Sequence, residues 1–191
     1  MFVDHSSINR WAIRFLPLLE KVFRKHKRAV GGSWRMAETY IKVKGVWKCL
    51  YRAVDKEGKT VDFVLTAKRD KAVALRFFEK AMKASGVPEK VAMVKSGANK
   101  AAMDEINAKG KTPVIVRQVK YLNNIVEQDH RAIKRVISPM LNFKSFQAAR
   151  NVLAGIELMH MIRKGQLLVQ GGNARSFADQ FYALAGQMRP V

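Results

Sequence analysis

Between residues 34 and 66 lie three consecutive runs rich in β-branched and aromatic residues, WRMAETYIKV, VWKCLYRAV and TVDFVLTA, and this triplet limits the fold more than any other stretch. The breaks between them are short and turn-forming, Lys44-Gly45 and then Asp55-Lys56-Glu57-Gly58-Lys59. Breaks that short join antiparallel neighbours, so three antiparallel strands are expected. The period then changes. Residues 70–85 place Ala72, Leu75, Phe78, Ala81 and Met82 inward on a helix that Gly86 and Pro88 end. VAMV, 91–94, reads as a short buried strand, 98–108 as a helix ending near Gly110, and VIVRQV, 114–119, as a fifth strand. From Ser145 to Arg163, the stripe of Phe146, Ala149, Val152, Leu153, Ile156, Met159 and Met161 predicts a long core-facing helix. Strands interleaved with helices in this order predict an α/β domain, a mixed five-stranded sheet with helices on its faces.

The stretch Lys120–Arg135, KYLNNIVEQDHRAIKR, has its own pattern. Leu122, Ile125, Val126, Ile133, Val136 and Ile137 recur at three- and four-residue intervals and form one stripe of an amphipathic helix. The other face carries Asn123, Asn124, Glu127, Arg131 and Lys134, with one carboxylate stacked beside two cations over two turns. Taken alone, that spacing is also satisfied by an ordinary solvated pair of Glu127 with Arg131.

Composition narrows the partner. Lys plus Arg number 36 against 15 Asp plus Glu, a formal net charge of +21 over 191 residues, which favours a polyanion and nucleic acid first. A membrane-surface protein would concentrate its charge beside an apolar anchor, whereas these cations are spread along the whole chain. No run approaches the ~18 apolar residues of a membrane-crossing helix, and MFVDHSSINRW lacks a signal-peptide pattern, so a cytoplasmic location is expected. Cys49 has no internal disulfide partner, and His5, His26, His130 and His160 lack zinc-finger spacing with it.

At the N-terminus Asp4 is a helix N-cap followed by Ile8, Trp11, Ala12 and Phe15 on one face, leaving Ser6, Ser7, Asn9, Arg10 and Arg14 outward. Short polar side chains and Arg on the first turns suit contact with base edges and phosphates, although an ordinary amphipathic helix has the same pattern. The run RKHKR, Arg24–Arg28, followed by Gly31-Gly32, reads as a basic linker crossing a DNA backbone or as a solvated charge run. Residues 165–191, with Gly171-Gly172 and Pro190, read as a loose tail in which Phe177, Phe181 and Tyr182 would suit a docking helix.

The sequence YLNNIVEQDHRAIK resembles the third catalytic motif of bacterial DDE transposases of the insertion-sequence-six family. Two further blocks carry the likeness: Trp34-Arg35-Met36-Ala37-Glu38-Thr39-Tyr40 is similar to the family's W-x-M-D-E-T-Y, and Val94-Lys95-Ser96-Gly97-Ala98-Asn99 to D-K-S-G-A-N. VDHSSINRW is similar to the recognition helix of the family's helix-turn-helix, and the likeness runs from about Val3 to Gln166. It implies a ribonuclease-H-like fold, with residues 1–32 a truncated helix-turn-helix remnant and basic linker, 33–166 the catalytic domain and 167–191 a C-terminal tail. It also implies DNA strand cleavage and strand transfer with Mg²⁺ or Mn²⁺ held by two Asp and one Glu, terminal inverted repeats as the DNA partner, and a homo-oligomer. Glu127 is then the surviving ligand, Ala37 and Val94 stand where the two Asp belong, and Lys95, Arg131 and Lys134 are cations near the DNA, as Ser7, Asn9, Arg10 and Arg14 are on the first helix. The metal site is expected to be broken, because Mg²⁺ takes several converging hard oxygens and two of three are missing. Glu38 should project to the opposite face of its strand, Asp129 lies about 200° around the helix from Glu127, and Asp62, Asp104 and Glu105 have no reason to reach the site. The expectation is an inactive transposase. The alternatives are a non-catalytic DNA-binding protein that poisons intact transposase subunits, and a basic RNA-binding protein without enzymatic descent.

Overall fold

The computed structural model describes residues 4–110, 112–140, 142–168 and 176–186, and excludes the side chains of Ile8, Asn9, Ala12 and Lys120. Val3, Gly171-Gly172 and Pro190, on which readings above fall, lie outside the described residues. Two compact units are present, residues 29–142 and residues 1–28 with 143–191.

The first unit is built on the three-strand meander, β1 (Ser33–Val43), β2 (Val46–Asp55) and β3 (Thr60–Thr66). The β1–β2 turn has Lys44 at φ 49° and Gly45 at φ 77°, the paired left-handed residues that a two-residue hairpin matching strand twist requires. The second turn is organised by buried Asp55. Its Oδ1 accepts from the Glu57 and Lys59 amides at 2.9 Å, and its Oδ2 accepts from the Gly31 amide at 2.9 Å. One carboxylate thus closes the β2–β3 turn and fixes the approach to β1.

The chain continues through α2 (Lys71–Ser85), β4 (Lys90–Met93), α3 (Gly97–Lys109), β5 (Ile115–Arg117), a 3-10 turn (Lys120–Asn123) and α4 (Asn124–Ile137). The sheet order is β3-β2-β1-β4-β5. β2 runs antiparallel to both neighbours, whereas β1 pairs with β4 and β4 with β5 in parallel. This is the expected mixed five-stranded sheet. One face packs Trp34, Met36, Tyr51 and Met93 against Phe77 and Phe78 of α2 and Ala102 and Met103 of α3. The other face carries α4, with Val126 packed on Ala37 and Val54.

Details differ from the sequence expectation for physical reasons. In α2 the buried residues are Val73, Ala74, Phe77, Phe78 and Ala81, and Ala72 is exposed in the first turn. Val94 falls just past β4 and is 41% exposed. The α4 stripe is Val126, His130 and Ile133, spaced i, i+4, i+7, while Val136 is exposed. His130 fills the place on the stripe that its polarity hides from a hydrophobicity count.

The second unit comprises α1 (His5–Lys25), α5 (Phe146–Arg163) and α6 (Phe177–Gly186). Helix α1 passes through Pro17, which has no N–H to give to the Ile13 carbonyl four residues earlier. Asn151 of α5 donates its Nδ2 to that carbonyl at 3.3 Å, so a side chain replaces the missing backbone bond. Arg24 and Lys25 form the last turn of α1, and beyond it Lys27 bridges to Leu167 while the Arg28 amide donates to the Gln166 carbonyl at 2.8 Å. α6 forms over Phe177, Phe181 and Tyr182.

Candidate active site

The parallel pairing of β1 with β4 sets the site. Met36 is the register partner of Met93, so Ala37 and Val94 each follow the last residue of the β1–β4 ladder, side by side, Ala37 mid-way along β1 and Val94 just past the carboxyl end of β4. In open α/β sheets that end is where ligands bind. Ala37, buried, also touches Val126, the residue before Glu127 on α4. Ala37 is therefore the common neighbour of the second and third motifs. Glu127 is half-buried in the first turn of α4, and among the described residues it has no ion pair with Arg131.

Strand alternation separates Glu38 from this face. Glu38 ion-pairs with Arg69 and accepts a hydrogen bond from Asn99 Nδ2, which also lies 3.5 Å from the Met36 sulfur. Asn99 is buried in α3, whose N-cap Ser96 accepts from the Asn99 amide and from Arg69 Nη2 at 3.1 Å. The W-x-M-x-E-T-Y and K-S-G-A-N blocks thus meet through Glu38, Asn99 and Arg69 on the α2–α3 face. Nearby, burial and then the negative charge of Glu38 push the Cys49 thiol up to about 12, with Arg69 opposing, so the thiol stays protonated and unreactive.

The other acids near the motifs are engaged elsewhere. Asp62 pairs with Lys80 at 3.0 Å, Asp104 with Lys100 at 2.7 Å, and Glu105 with Lys109 and Lys71. Hydrogen bonds from Lys109 and Lys71 hold the Glu105 carboxyl down to about 2. At positions 37, 94 and 127 the donor set is one methyl, one isopropyl and one carboxylate. Among the described residues, no group of three or more His, Cys, Asp or Glu is arranged to hold a metal ion.

Sequence reasoning missed a buried ionic cluster beneath α4. Arg52, fully buried on β2, is the cross-strand partner of Ala37 and shares its face. Its Nη2 lies 3.2 Å from Asp129 Oδ2 and donates to Thr60 Oγ1 at 3.1 Å. His130 is buried alongside. Desolvation, then the cations Arg52 and Lys134, push its imidazole down to about 4, with Asp129 pulling the other way. The signal was one charge inside the otherwise apolar run CLYRAV, since a buried guanidinium needs an acid partner. Asp129 therefore grips the sheet while Glu127 lies elsewhere on the helix.

Of the predicted DNA-facing cations, Lys95, Arg131 and Lys134 are exposed in the first unit. Arg10 and Arg14 are exposed on α1 in the other, where Arg10 Nη2 reaches Ser7 Oγ at 3.4 Å; the Asn9 side chain lies outside the described residues. No described helix is long and apolar enough to cross a membrane.

A mixed sheet of this order, with motif positions mid-way along β1, just past β4 and on a helix across one face, is a ribonuclease-H-like core of integrase type. A subunit of the simian T-cell lymphotropic virus intasome, solved with PP2A regulatory subunit B56 gamma, has a similar fold: TM-score 0.50, 14% identity, 87% of this chain and 60% of that one. Residues 31–166 match the DDE domain of IS240-type transposases. The transposase for insertion sequence-like element IS431mec of Staphylococcus aureus strain N315 is 39% identical over 163 residues, covering 85% of this chain and 71% of the relative. The Staphylococcus aureus transposase for insertion sequence element IS257 in transposon Tn4003 is similar to the same extent. The chain belongs to the DDE transposases of the insertion-sequence-six family.

Proposed function

We propose that this chain is a DNA transposase subunit in which strand cleavage and strand transfer are disabled at the metal site. The observation that carries the reading is Ala37: its methyl group packs on Val54 and Val126 mid-way along β1, beside the end of β4 that Val94 follows. A divalent ion in this family supplies a Lewis acid for phosphoryl transfer. These residues do not fit one, because hard cations require several converging oxygens and Glu127 alone supplies a carboxylate at the three positions. Glu38 cannot substitute from the far face, and Asp129 is committed to Arg52. The test is a strand-cleavage assay on terminal inverted-repeat DNA with Mg²⁺ or Mn²⁺. No cleavage is expected, and turnover abolished by a chelator overturns the reading.

A second reading has its own support, the exposed cations Lys95, Arg131 and Lys134 on a chain of net charge +21. With its DNA contacts intact and its chemistry lost, the chain binds DNA ends in the cytoplasm, at the nucleoid. There it assembles with itself or with intact transposase subunits and poisons them. Ser7, Asn9, Arg10 and Arg14 of α1 act in this reading as recognition-helix contacts and residues 33–166 as the inert catalytic domain. Affinity should then fall by about 0.9 log units per log unit of salt for each phosphate contacted. Co-expression with an intact family member is the direct assay, and unaffected transposition counts against interference.

A further inference from the structure

We propose that the free end of the β1–β2 hairpin is a stacking platform for unpaired DNA bases. The inference rests on DNA being the partner, as proposed above, and adds which form of DNA is bound and where. β1 pairs with β4 only as far as Met36, and β3 reaches β2 only from Cys49 onward, whereas β1 and β2 pair with each other out to Val43 and Val46. Residues 41–48 therefore form a two-stranded ribbon without a third described strand, continuing from the end of the sheet where Ala37 lies.

One face of that ribbon is aromatic and cationic. The register pairs Lys42 with Trp47 and Tyr40 with Cys49, which places Tyr40, Lys42 and Trp47 on the same face, Lys42 directly opposite Trp47 and Tyr40 diagonal to it. Trp47 is 61% exposed and Tyr40 45%, high values for large rings in a sheet. The Lys42 ammonium lies 5.8 Å from the Trp47 ring centroid, within cation–π range. Arg69, Lys44 and Lys68 add cations beside it, and all three are exposed. The nearby carboxylates are already held, Glu38 by Arg69 and Asp70 by the amide of Val73 at the start of α2.

Exposed rings interleaved with cations suit single-stranded nucleic acid, where bases stack on the rings and phosphates meet the charges. A protein-binding core would instead be depleted in lysine. Base faces are available only where a duplex is opened. Tyr40 lies three residues beyond Ala37, about 10 Å along the strand, on the opposite face of the sheet. Because β4 leaves β1 unpaired beyond Met36, a frayed strand that passes over this open edge can reach both.

The test uses the full chain, with fluorescence anisotropy of a labelled oligothymidylate of about 20 nucleotides, longer than a typical single-strand site, and of a blunt duplex of the same length. Trp47→Ala should weaken oligothymidylate binding about tenfold, the loss of one stacked base, with an unchanged salt slope. Duplex affinity should be little altered, and Trp47→Phe should retain most of the single-strand affinity. Lys42→Ala should instead lower the salt slope by about 0.7. Thermal melting of each variant reports folding separately. Unaltered oligothymidylate binding by Trp47→Ala and Tyr40→Ala overturns the platform, as does equal loss on both oligonucleotides. A change of oligomeric state without a change in DNA affinity also overturns it and marks a protein interface. Wild-type protein that binds neither oligonucleotide overturns the DNA reading together with it.

Discussion

Acidification should destabilise the sheet domain through His130. In the folded chain its imidazole is pushed from 6.5 down to about 4 by burial and by Arg52 and Lys134, against the pull of Asp129. The unfolded chain takes up the proton near 6.5 while the folded chain refuses it until about 4. The stabilisation is therefore complete above pH 6.5 and is lost as pH falls toward 4. Between pH 7 and 4 that difference in proton uptake removes roughly 3 kcal/mol, a large part of the ~5–15 kcal/mol typical of a domain. Urea titrations between pH 7 and 4 would follow buried Trp34, with the exposed Trp11 and Trp47 replaced by Phe. His130→Gln, compared in the same background, should lose about 3 kcal/mol less than its parent across this range, because carboxylate titrations common to both cancel. Parallel stability curves for the two proteins would refute the argument.

Three further outcomes follow from the described contacts. Arg52→Met or Asp129→Asn alone should cost about 3–5 kcal/mol, because each strands a buried charge or acceptor, whereas Arg52→Met with Asp129→Leu should recover much of that in a double-mutant cycle by urea denaturation. Ala37→Asp with Val94→Asp should lower metal-free melting temperature by crowding acids beside Glu127, and Mn²⁺ should restore it with binding visible by titration calorimetry; unchanged or raised metal-free stability rejects the idea that the apolar residues relieve repulsion. Asn151→Ala should cost about 1 kcal/mol by orphaning the Ile13 carbonyl, and Pro17→Ala should abolish that cost by supplying the missing N–H, a coupling that thermal denaturation of the four proteins would reveal.

The fold was legible where side-chain period alone decides it. The three β-rich runs, the breakers at Gly45, Gly58 and Gly86, and the 3.6-residue stripes of α2 and α5 placed the elements within a few residues of their observed bounds. Motif blocks singled out positions 37, 94 and 127, which lie mid-way along β1, just past β4 and in the first turn of α4. Features set by partners distant in sequence stayed hidden. His130 reads as polar until Arg52 and the sheet cover it, and Arg52 reads as outward-facing until Asp129 reaches it from α4. Helix α1 runs on through Pro17 into Arg24 and Lys25, part of the run read as a linker, and Asn151, 138 residues away from Ile13, takes up the carbonyl that Pro17 frees.

Strand β1 acts as a partition. Its even-numbered side chains brace the scaffold through Glu38, Asn99 and Arg69, while its odd-numbered ones look toward α4 through Ala37. Among the described residues the contacts of the two sides are separate, so a substitution at Ala37 leaves the Glu38, Asn99 and Arg69 contacts in place. A domain wired this way can outlive its own catalysis, still presenting the shape by which kin and substrate would know it.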